Sequence, residues 1–346
     1  MRKPLTSNAP VQKALNIIRE VEKHDASFVL EGDNLSVRVY NGASLPGELI
    51  GEIKAYKKEI SDLIREREQS DSDKRQPGLI KLGHNEHGIP CFLFPGMPGL
   101  VHHYEPLGHA LSTKYQPYGI SYIAGDSPVQ PHKNLGEIVA QALDEVSKIW
   151  KDGQVVFIGH SFGALVAFET VRALEGRGKQ VEQLIVLDAA VNMQNFGTIS
   201  DEKVIDAISF FTERYQLSGF IEKDWKNTLK GHFGSVPLKD DIDNLCRFFI
   251  DHVIAGTKQT YLLNVLHAYL YQIQMVGKPS GKINSDLLVI KAANQKNRPV
   301  YGECLGWELF CHRKVSSTVS LGDHESMVLP PHSESLAENI VSYQSQ

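Results

Sequence analysis

The run Val155-Val156-Phe157-Ile158-Gly159 carries no polar side chain at either alternating position. A strand with one wet face alternates polar and apolar residues, so this run predicts a strand buried on both faces. Such burial needs a layer on each side, and the usual solution is a parallel sheet with helices packed against both faces. The residues after the run narrow the choice further. Gly159-His160-Ser161-Phe162-Gly163 leads without a spacer into a stretch rich in Ala, Leu and Val that reads as a helix. A strand-to-helix turn this tight leaves no room for side chains at its flanks, which accounts for glycine at 159 and 163.

The alternation recurs along the chain. Further strands are expected at Ile80–Gly83, Cys91–Phe94, Tyr118–Ile123, Leu184–Leu187, Leu287–Lys291 and Val315–Leu321, with helical patterns at Tyr104–Thr113, Leu135–Trp150 and Phe162–Leu174. One interval does not fit. About 100 residues separate Leu187 from Leu287, far more than a single crossover needs. Ile205, Ile208, Phe211 and Tyr215, and again Leu262, Val265, Leu266, Tyr269 and Ile273, follow helical spacing within it. Helices inserted beyond the strand ends of such a sheet lie where ligands bind. A helical lid is therefore expected over approximately residues 195–282.

Glu66 to Pro77 contains no apolar residue and cannot bury a face. It reads as a linker, placed at residues 69–77, between a small unit at 1–68 and a large one at 78–346. In the small unit Val11, Ala14, Leu15, Ile18 and Val21 follow helical spacing. Ser27–Glu31 and Leu35–Tyr40 are β-rich runs joined through Gly32-Asp33-Asn34, a hairpin signal. A second helical region after Pro46 breaks near Tyr56, giving an αββαα order.

Several function classes are disfavoured at once. The formal net charge of −5 offers no basic face for nucleic acid. No apolar run approaches the roughly 18–20 residues of a membrane helix. Met1 to Glu22 lacks a signal-peptide core, so a cytoplasmic location is expected. Cys91, Cys246, Cys304 and Cys311 show no C-x-x-C spacing, and no metal site is expected.

Ser161 stands at the tight turn and at a helix N-terminus, where the helix dipole favours developing negative charge. A serine hydroxyl needs a base to act as a nucleophile. Of 14 histidines, His324 follows the last strand, in Gly322-Asp323-His324-Glu325, the chain position expected of the base. His102 and His103 could line the pocket, and His160 should point away beneath the sheet. The loop after the penultimate strand, Ala292 to Asn297, offers no carboxylate. Asp188, at the end of the strand beside that of Ser161, is the expected acid, with Asp323 a weaker rival. The oxyanion needs backbone donors. Phe162 should supply one. Pro95 and Pro98 have no N–H, so Gly96, Met97 or Gly99 remains for the other, and Met97 is favoured.

With these residues placed, the large unit resembles the thioesterase domains of nonribosomal peptide and polyketide synthases, which have the α/β-hydrolase fold. The matching pieces are Phe92-Leu93-Phe94-Pro95-Gly96 leading to Tyr104, the Gly159–Gly163 turn, Asp188, Trp307 and Gly322-Asp323-His324. The small unit is similar to docking domains of the TubC type, through Phe28 to Leu35 and Leu45 to Ile64. The resemblance implies a mostly parallel sheet with a helical lid, preceded by a small α+β docking domain. It implies a serine thioesterase that binds no cofactor of its own and is acylated from the phosphopantetheine arm of a carrier protein. It further implies a strand-addition site at Ser36, Val37, Arg38, Val39 and Tyr40 for the C-terminal tail of an upstream synthase subunit. The sequence contains no carrier-protein attachment motif, so the acyl chain is expected from another polypeptide. A free-standing offloading enzyme, hydrolytic or macrocyclising, is the leading expectation. An editing thioesterase, a small-molecule esterase and a catalytically dead binding module are the alternatives.

Overall fold

Ala14, Ile17, Ile18 and Val21 recur at helical spacing, and they line the buried face of helix α1 (Ala9–Lys23) in the computed structural model. The structure describes residues 9–24, 26–31, 34–39, 45–64, 78–123, 131–193, 197, 199–215, 217, 224–253, 259–294 and 302–343. The chain divides into two units, Met1–Asp73 and Lys74–Gln346. In the first, α1 is followed by an antiparallel pair, β1 (Ala26–Glu31) and β2 (Asn34–Val39), then by α2 (Gly47–Ala55) and α3 (residues 57–64). Tyr56, at φ −111° and ψ 25°, leaves the helical region between the last two. Phe28 faces Val37 across the hairpin, and both pack against Ala14, Ile17, Leu49 and Ile60.

The second unit is built on one sheet. Its elements in chain order are β3 (Gly78–Lys81), β4 (Ile89–Phe94), α4 (Glu105–Leu111), β5 (Tyr115–Ser121), α5 (Leu135–Ile149), β6 (Val156–His160), α6 (Phe162–Gly176) and β7 (Gln183–Leu187). Then come α7 (Asp201–Arg214), α8 (Trp225–Phe233), α9 (Ile242–Phe248), α10 (Gln259–Met275), β8 (Asp286–Ala292), β9 (Val315–Ser320) and α11 (His332–Tyr343). The seven strands run in the order β3-β5-β4-β6-β7-β8-β9, all parallel except β3.

Both faces of the sheet are covered. Phe92, Phe157, Val186 and Val289 pack on one side with α5, α6 and the inserted helices. Leu93, Ile158, Ile185 and Leu288 pack on the other with Leu107 of α4 and Leu336 and Ile340 of α11. Every residue of β6 is buried, as its apolar run requires.

Strand boundaries lie within three residues of the sequence expectation. The largest shift is at β5, which starts at Tyr115 rather than Tyr118. A proline argues against an interior strand, yet Pro117 lies within this one. Its carbonyl still accepts the Leu82 N–H at 3.0 Å, so that edge of the ladder is kept.

Helices α7 to α10 form the interval between β7 and β8 and pack on one another through Phe211, Leu229, Leu245, Phe249 and Leu266. Polar ties hold them to the sheet body. Asp243 of α9 accepts from Lys133 at 2.6 Å and from Tyr271 at 2.8 Å. Gln272 of α10, buried, donates to the Pro98 carbonyl at 2.8 Å. Among the described residues no helix is long and apolar enough to cross a membrane.

Candidate active site

Ser161 follows β6 directly and holds φ 54° and ψ −124°. A non-glycine residue in such a conformation stores roughly 1–3 kcal/mol of strain, so its surroundings must enforce it. They do so by close packing. A Cβ on Gly159 would lie 2.5 Å from Ala164 Cα, and one on Gly163 would lie 2.1 Å from the Phe94 carbonyl oxygen. The turn is thereby wedged between α6 and the end of β4. The Ser161 N–H donates to the Leu187 carbonyl at 3.2 Å, tying the turn to β7 as well.

The loop after β9 brings His324 to this serine. Its Nε2 is 3.0 Å from Ser161 Oγ, and its Nδ1 is 2.9 Å from Asp188 Oδ2. Asp188 follows β7 directly, is 1% exposed, and has φ 48°. Its N–H donates to the Ile290 carbonyl at 2.8 Å, and its Oδ1 accepts the Ala292 N–H at 2.9 Å. A carboxylate only accepts, so His324 donates from Nδ1 and presents the Nε2 lone pair to the serine hydroxyl. The last residue of β8 thus supplies the amide that orients Asp188. Asp323 is turned elsewhere, accepting from the Glu325 and Ser326 amides at 3.1 and 2.8 Å.

The N–H groups of the loop after β4 divide into those with an acceptor and those without. Gly96 donates to Tyr104 Oη at 2.9 Å, and Gly99 donates to the Gly96 carbonyl at 2.8 Å. The second bond fixes the peptide plane that also carries the Met97 N–H. Met97 and Phe162 have no acceptor for their amides among the described residues. A Cβ on Gly96 would come within 3.1 Å of Ser161 Cβ, so this loop passes directly against Ser161.

Two recesses meet at Ser161 and His324. One, of about 290 Å³, has polar walls that include His103, Arg214, Tyr215, Tyr269 and Glu325. The other, of about 390 Å³, is lined by Leu165, Ala189, Val191, Val276, Pro279 and Trp307 and is mainly apolar. The Trp307 indole N–H, buried, donates to the Ala189 carbonyl at 2.7 Å and holds that wall. Arg214 at the end of α7 pairs with Glu325 at 3.2 Å, linking the inserted helices to the loop of His324. Burial, together with the Arg214 charge, lowers the pKa of His103 and favours its neutral ring. Burial pushes the Tyr104 phenol well above its ordinary pKa, so its proton stays in place. Among the described residues no cluster of three His, Cys, Asp or Glu side chains could hold a metal ion.

The structure brings Ser161, His324, Asp188 and the Met97 and Phe162 amides to one place. Residues 90–208 match the thioesterase-domain family model. The thioesterase match runs from β4 into α7 and covers about a third of the chain, including Met97, Ser161 and Asp188 but not His324. Indigoidine synthase of Dickeya dadantii (strain 3937) is 27% identical over 194 residues, which is 54% of this chain and 13% of that protein. The chain thus spans only a small part of the length of this curated relative. The fold is that of solved thioesterases. The thioesterase domain that cyclises the lipopeptide antibiotic surfactin aligns with TM-score 0.51 and 15% identity, over 78% of this chain and 96% of that one. YbtT, the type II thioesterase of a yersiniabactin pathway, aligns with TM-score 0.52 and 16% identity, over 76% of this chain and 96% of that one.

Of the expected strand-addition residues, Ser36, Val37, Arg38 and Val39 lie in β2 of the first unit, and Tyr40 lies outside the described residues. Ser36 is exposed and Val37 is half-buried. Among the described residues β2 pairs only with β1, so its second edge carries no strand.

Sequence reasoning misplaced one residue and passed over two others. His160 does not turn away from the site; its ring lies 4.9 Å from that of His324. Arg214 was not distinguished from the other charges of its helix, and Gln272 was overlooked. The available signal for Gln272 was a polar residue in α10 beside the apolar positions Tyr269 and Ile273.

Proposed function

We propose that this protein is a serine thioesterase that takes an acyl or peptidyl chain from the phosphopantetheine arm of a carrier protein onto Ser161 and releases it. The observation that carries the reading is the continuous relay from Ser161 Oγ through His324 to Asp188, at 3.0 and 2.9 Å. As Oγ attacks the thioester carbonyl, its proton passes to His324 Nε2, and Asp188 stabilises the resulting imidazolium. The carbonyl oxygen becomes an oxyanion held by the Met97 and Phe162 amides. Collapse expels the pantetheine sulfur, which leaves as a thiol with the proton from His324. Water, or a nucleophile of the acyl chain itself, then gives a proton to His324 and attacks the Ser161 ester. Ser161 recovers its proton as the acid or the macrocycle leaves.

The apolar recess suits the acyl chain, and the polar recess suits the pantetheine arm with its amides and phosphate. The first unit, with its two-stranded sheet, is read as a docking domain that receives the tail of an upstream synthase subunit by strand addition. That unit favours offloading over editing, because editing requires access to many carriers. The alternative is kept by the fold likeness, which is as close to a type II thioesterase as to a cyclising domain.

The test is acyl-enzyme formation. With an acylated carrier, intact-mass analysis should find the acyl group on Ser161, and Ser161→Ala should abolish both the adduct and turnover. The loss should reach several powers of ten, about 10⁴ or more, for removal of a triad nucleophile. Turnover of Ser161→Ala near the wild-type rate would refute the assignment.

A further inference from the structure

His160 stands outside the relay of Ser161, His324 and Asp188, yet it is 5% exposed and both of its ring nitrogens are engaged. Its Nε2 lies 2.8 Å from the main-chain carbonyl of His324. Its Nδ1 lies 2.7 Å from Tyr104 Oη, and that oxygen accepts the Gly96 N–H at 2.9 Å. With a neutral ring, these contacts set the direction of each proton. A carbonyl only accepts, so Nε2 carries the hydrogen. A neutral imidazole then offers a lone pair at Nδ1, which receives the Tyr104 hydroxyl proton. The same hydroxyl has a lone pair left for the Gly96 amide. The result is a one-way chain of donors, from Gly96 to Tyr104 to His160 to the carbonyl of His324.

The two ends of this chain matter. Gly96 precedes Met97 in the loop that faces the oxyanion, and a Cβ on it would nearly touch that of Ser161. The other end is the main chain of the base itself. A histidine that merely filled the core could satisfy its nitrogens on any neighbour; this one bridges the two loops whose separation sets the reaction geometry. We infer that His160 is a positioning residue that holds the oxyanion loop and the base loop in register, through Tyr104 on one side and the His324 carbonyl on the other. The inference rests on the serine-thioesterase reading of the site. Its physical basis is that reacting groups must be held to within about 0.5 Å, and a misplacement of about 1 Å can cost 10²-fold in rate.

The full-length protein is tested as His160→Ala, His160→Gln and the near-isosteric Tyr104→Phe. Three readouts separate the two loops. The first is kcat and KM on an N-acetylcysteamine thioester. The second is the rate at which a fluorophosphonate labels Ser161, which reports the base. The third is the affinity of an alkyl trifluoromethyl ketone, whose adduct places an oxyanion in the hole. His160→Ala should lower kcat by on the order of 10²-fold with KM within about twofold, and should impair both labelling and ketone binding. Tyr104→Phe should weaken ketone binding more than labelling. His160→Gln, whose amide can still donate to the His324 carbonyl, should recover labelling more than ketone binding. If His160→Ala does not fold, Tyr104→Phe decides. A folded Tyr104→Phe or His160→Ala with kcat within about threefold of wild type overturns the inference. So does a loss confined to thermal stability. Should Ser161→Ala itself remain active, the underlying serine reading fails; should Ser161→Ala be dead while Tyr104→Phe is fully active, only the role of His160 fails.

Discussion

Asparagine in place of Asp188 keeps the shape of the side chain and removes one property, the ability of both oxygens to accept. Both are in use, Oδ1 by the Ala292 N–H and Oδ2 by His324 Nδ1, each at 2.9 Å. An amide has one acceptor and one donor end. If its oxygen stays on Ala292, its NH₂ faces Nδ1 of His324. The imidazole must then turn its lone pair toward the amide and carry its proton on Nε2. Ser161 meets a donor where it needs a base. If the amide flips, its NH₂ opposes the Ala292 N–H at a site that is 1% exposed, and leaving that donor unsatisfied costs about 1–3 kcal/mol. The first arrangement is favoured, and it is the unproductive one. We expect kcat to fall about 10⁴-fold, as when a triad acid is changed in this way. That corresponds to roughly 5.5 kcal/mol of barrier. KM should barely move, because substrate binding is untouched. Asp323→Asn is the control. It keeps an acceptor for the Glu325 and Ser326 amides and should cost about tenfold or less. The assay is thiol release from a soluble thioester, followed with a thiol-reactive chromophore, alongside circular dichroism to verify folding. Asp188→Asn retaining more than about a tenth of wild-type kcat, with Asp323→Asn inactive, would refute the reasoning.

The same geometry carries other expected outcomes. Gly163→Ala would force a Cβ to 2.1 Å from the Phe94 carbonyl and should destabilise by more than about 4 kcal/mol, whereas Gly176→Ala meets nothing within 4 Å and should be neutral or slightly stabilising; equal melting temperatures for the two would contradict the packing argument. Partial burial acts to raise the Asp243 pKa, but hydrogen bonds from Lys133 and Tyr271 outweigh it and hold the carboxyl below its ordinary range. Its stabilising contribution is therefore present above the unfolded value of about 4 and is lost as pH falls through the lower folded value. Asp243→Asn should depress the melting temperature at neutral pH, the gap closing below that window; a pH-independent gap would exclude this origin. Deleting Met1–Gln69 should spare hydrolysis of a soluble thioester but slow release from the native carrier at low protein concentration, with higher concentration restoring the rate; equal unloading by the truncated and full chains would remove the docking reading.

What could be read without coordinates was whatever is local in sequence. The turn at Gly159–Gly163 is legible because strand, nucleophile and helix lie within one short stretch, and each glycine answers a clash inside or beside it. Asp188 is legible because it comes directly after the apolar β7, and His324 because it lies in the loop that follows the last strand. The inserted helices were visible as surplus length and, in part, as helical spacing. Helical periodicity located α7 and α10 but not the short α8 and α9, whose few turns carry little periodic signal. His160 was misread because its partners, Tyr104 and His324, are 56 and 164 residues away, and adjacency at that range is a property of the sheet order. The start of β5 was hidden by Pro117, since a ring without an N–H normally marks a strand's limit.

Asp188 sits just after β7, and the next strand reaches it through main-chain groups, the Ile290 carbonyl and the Ala292 amide. An amide contact is indifferent to which side chain its residue carries. The connection between β8 and β9 is therefore relieved of any duty to preserve a particular acidic residue, and it can change in sequence without disturbing the carboxylate's second partner. Selection on that segment falls on keeping the backbone of β8 in register with β7, where Leu187 faces Ile290. Variation can then accumulate in a loop that begins close to the reacting atoms, which offers such a chain a place to acquire new product preferences while its chemistry stays fixed.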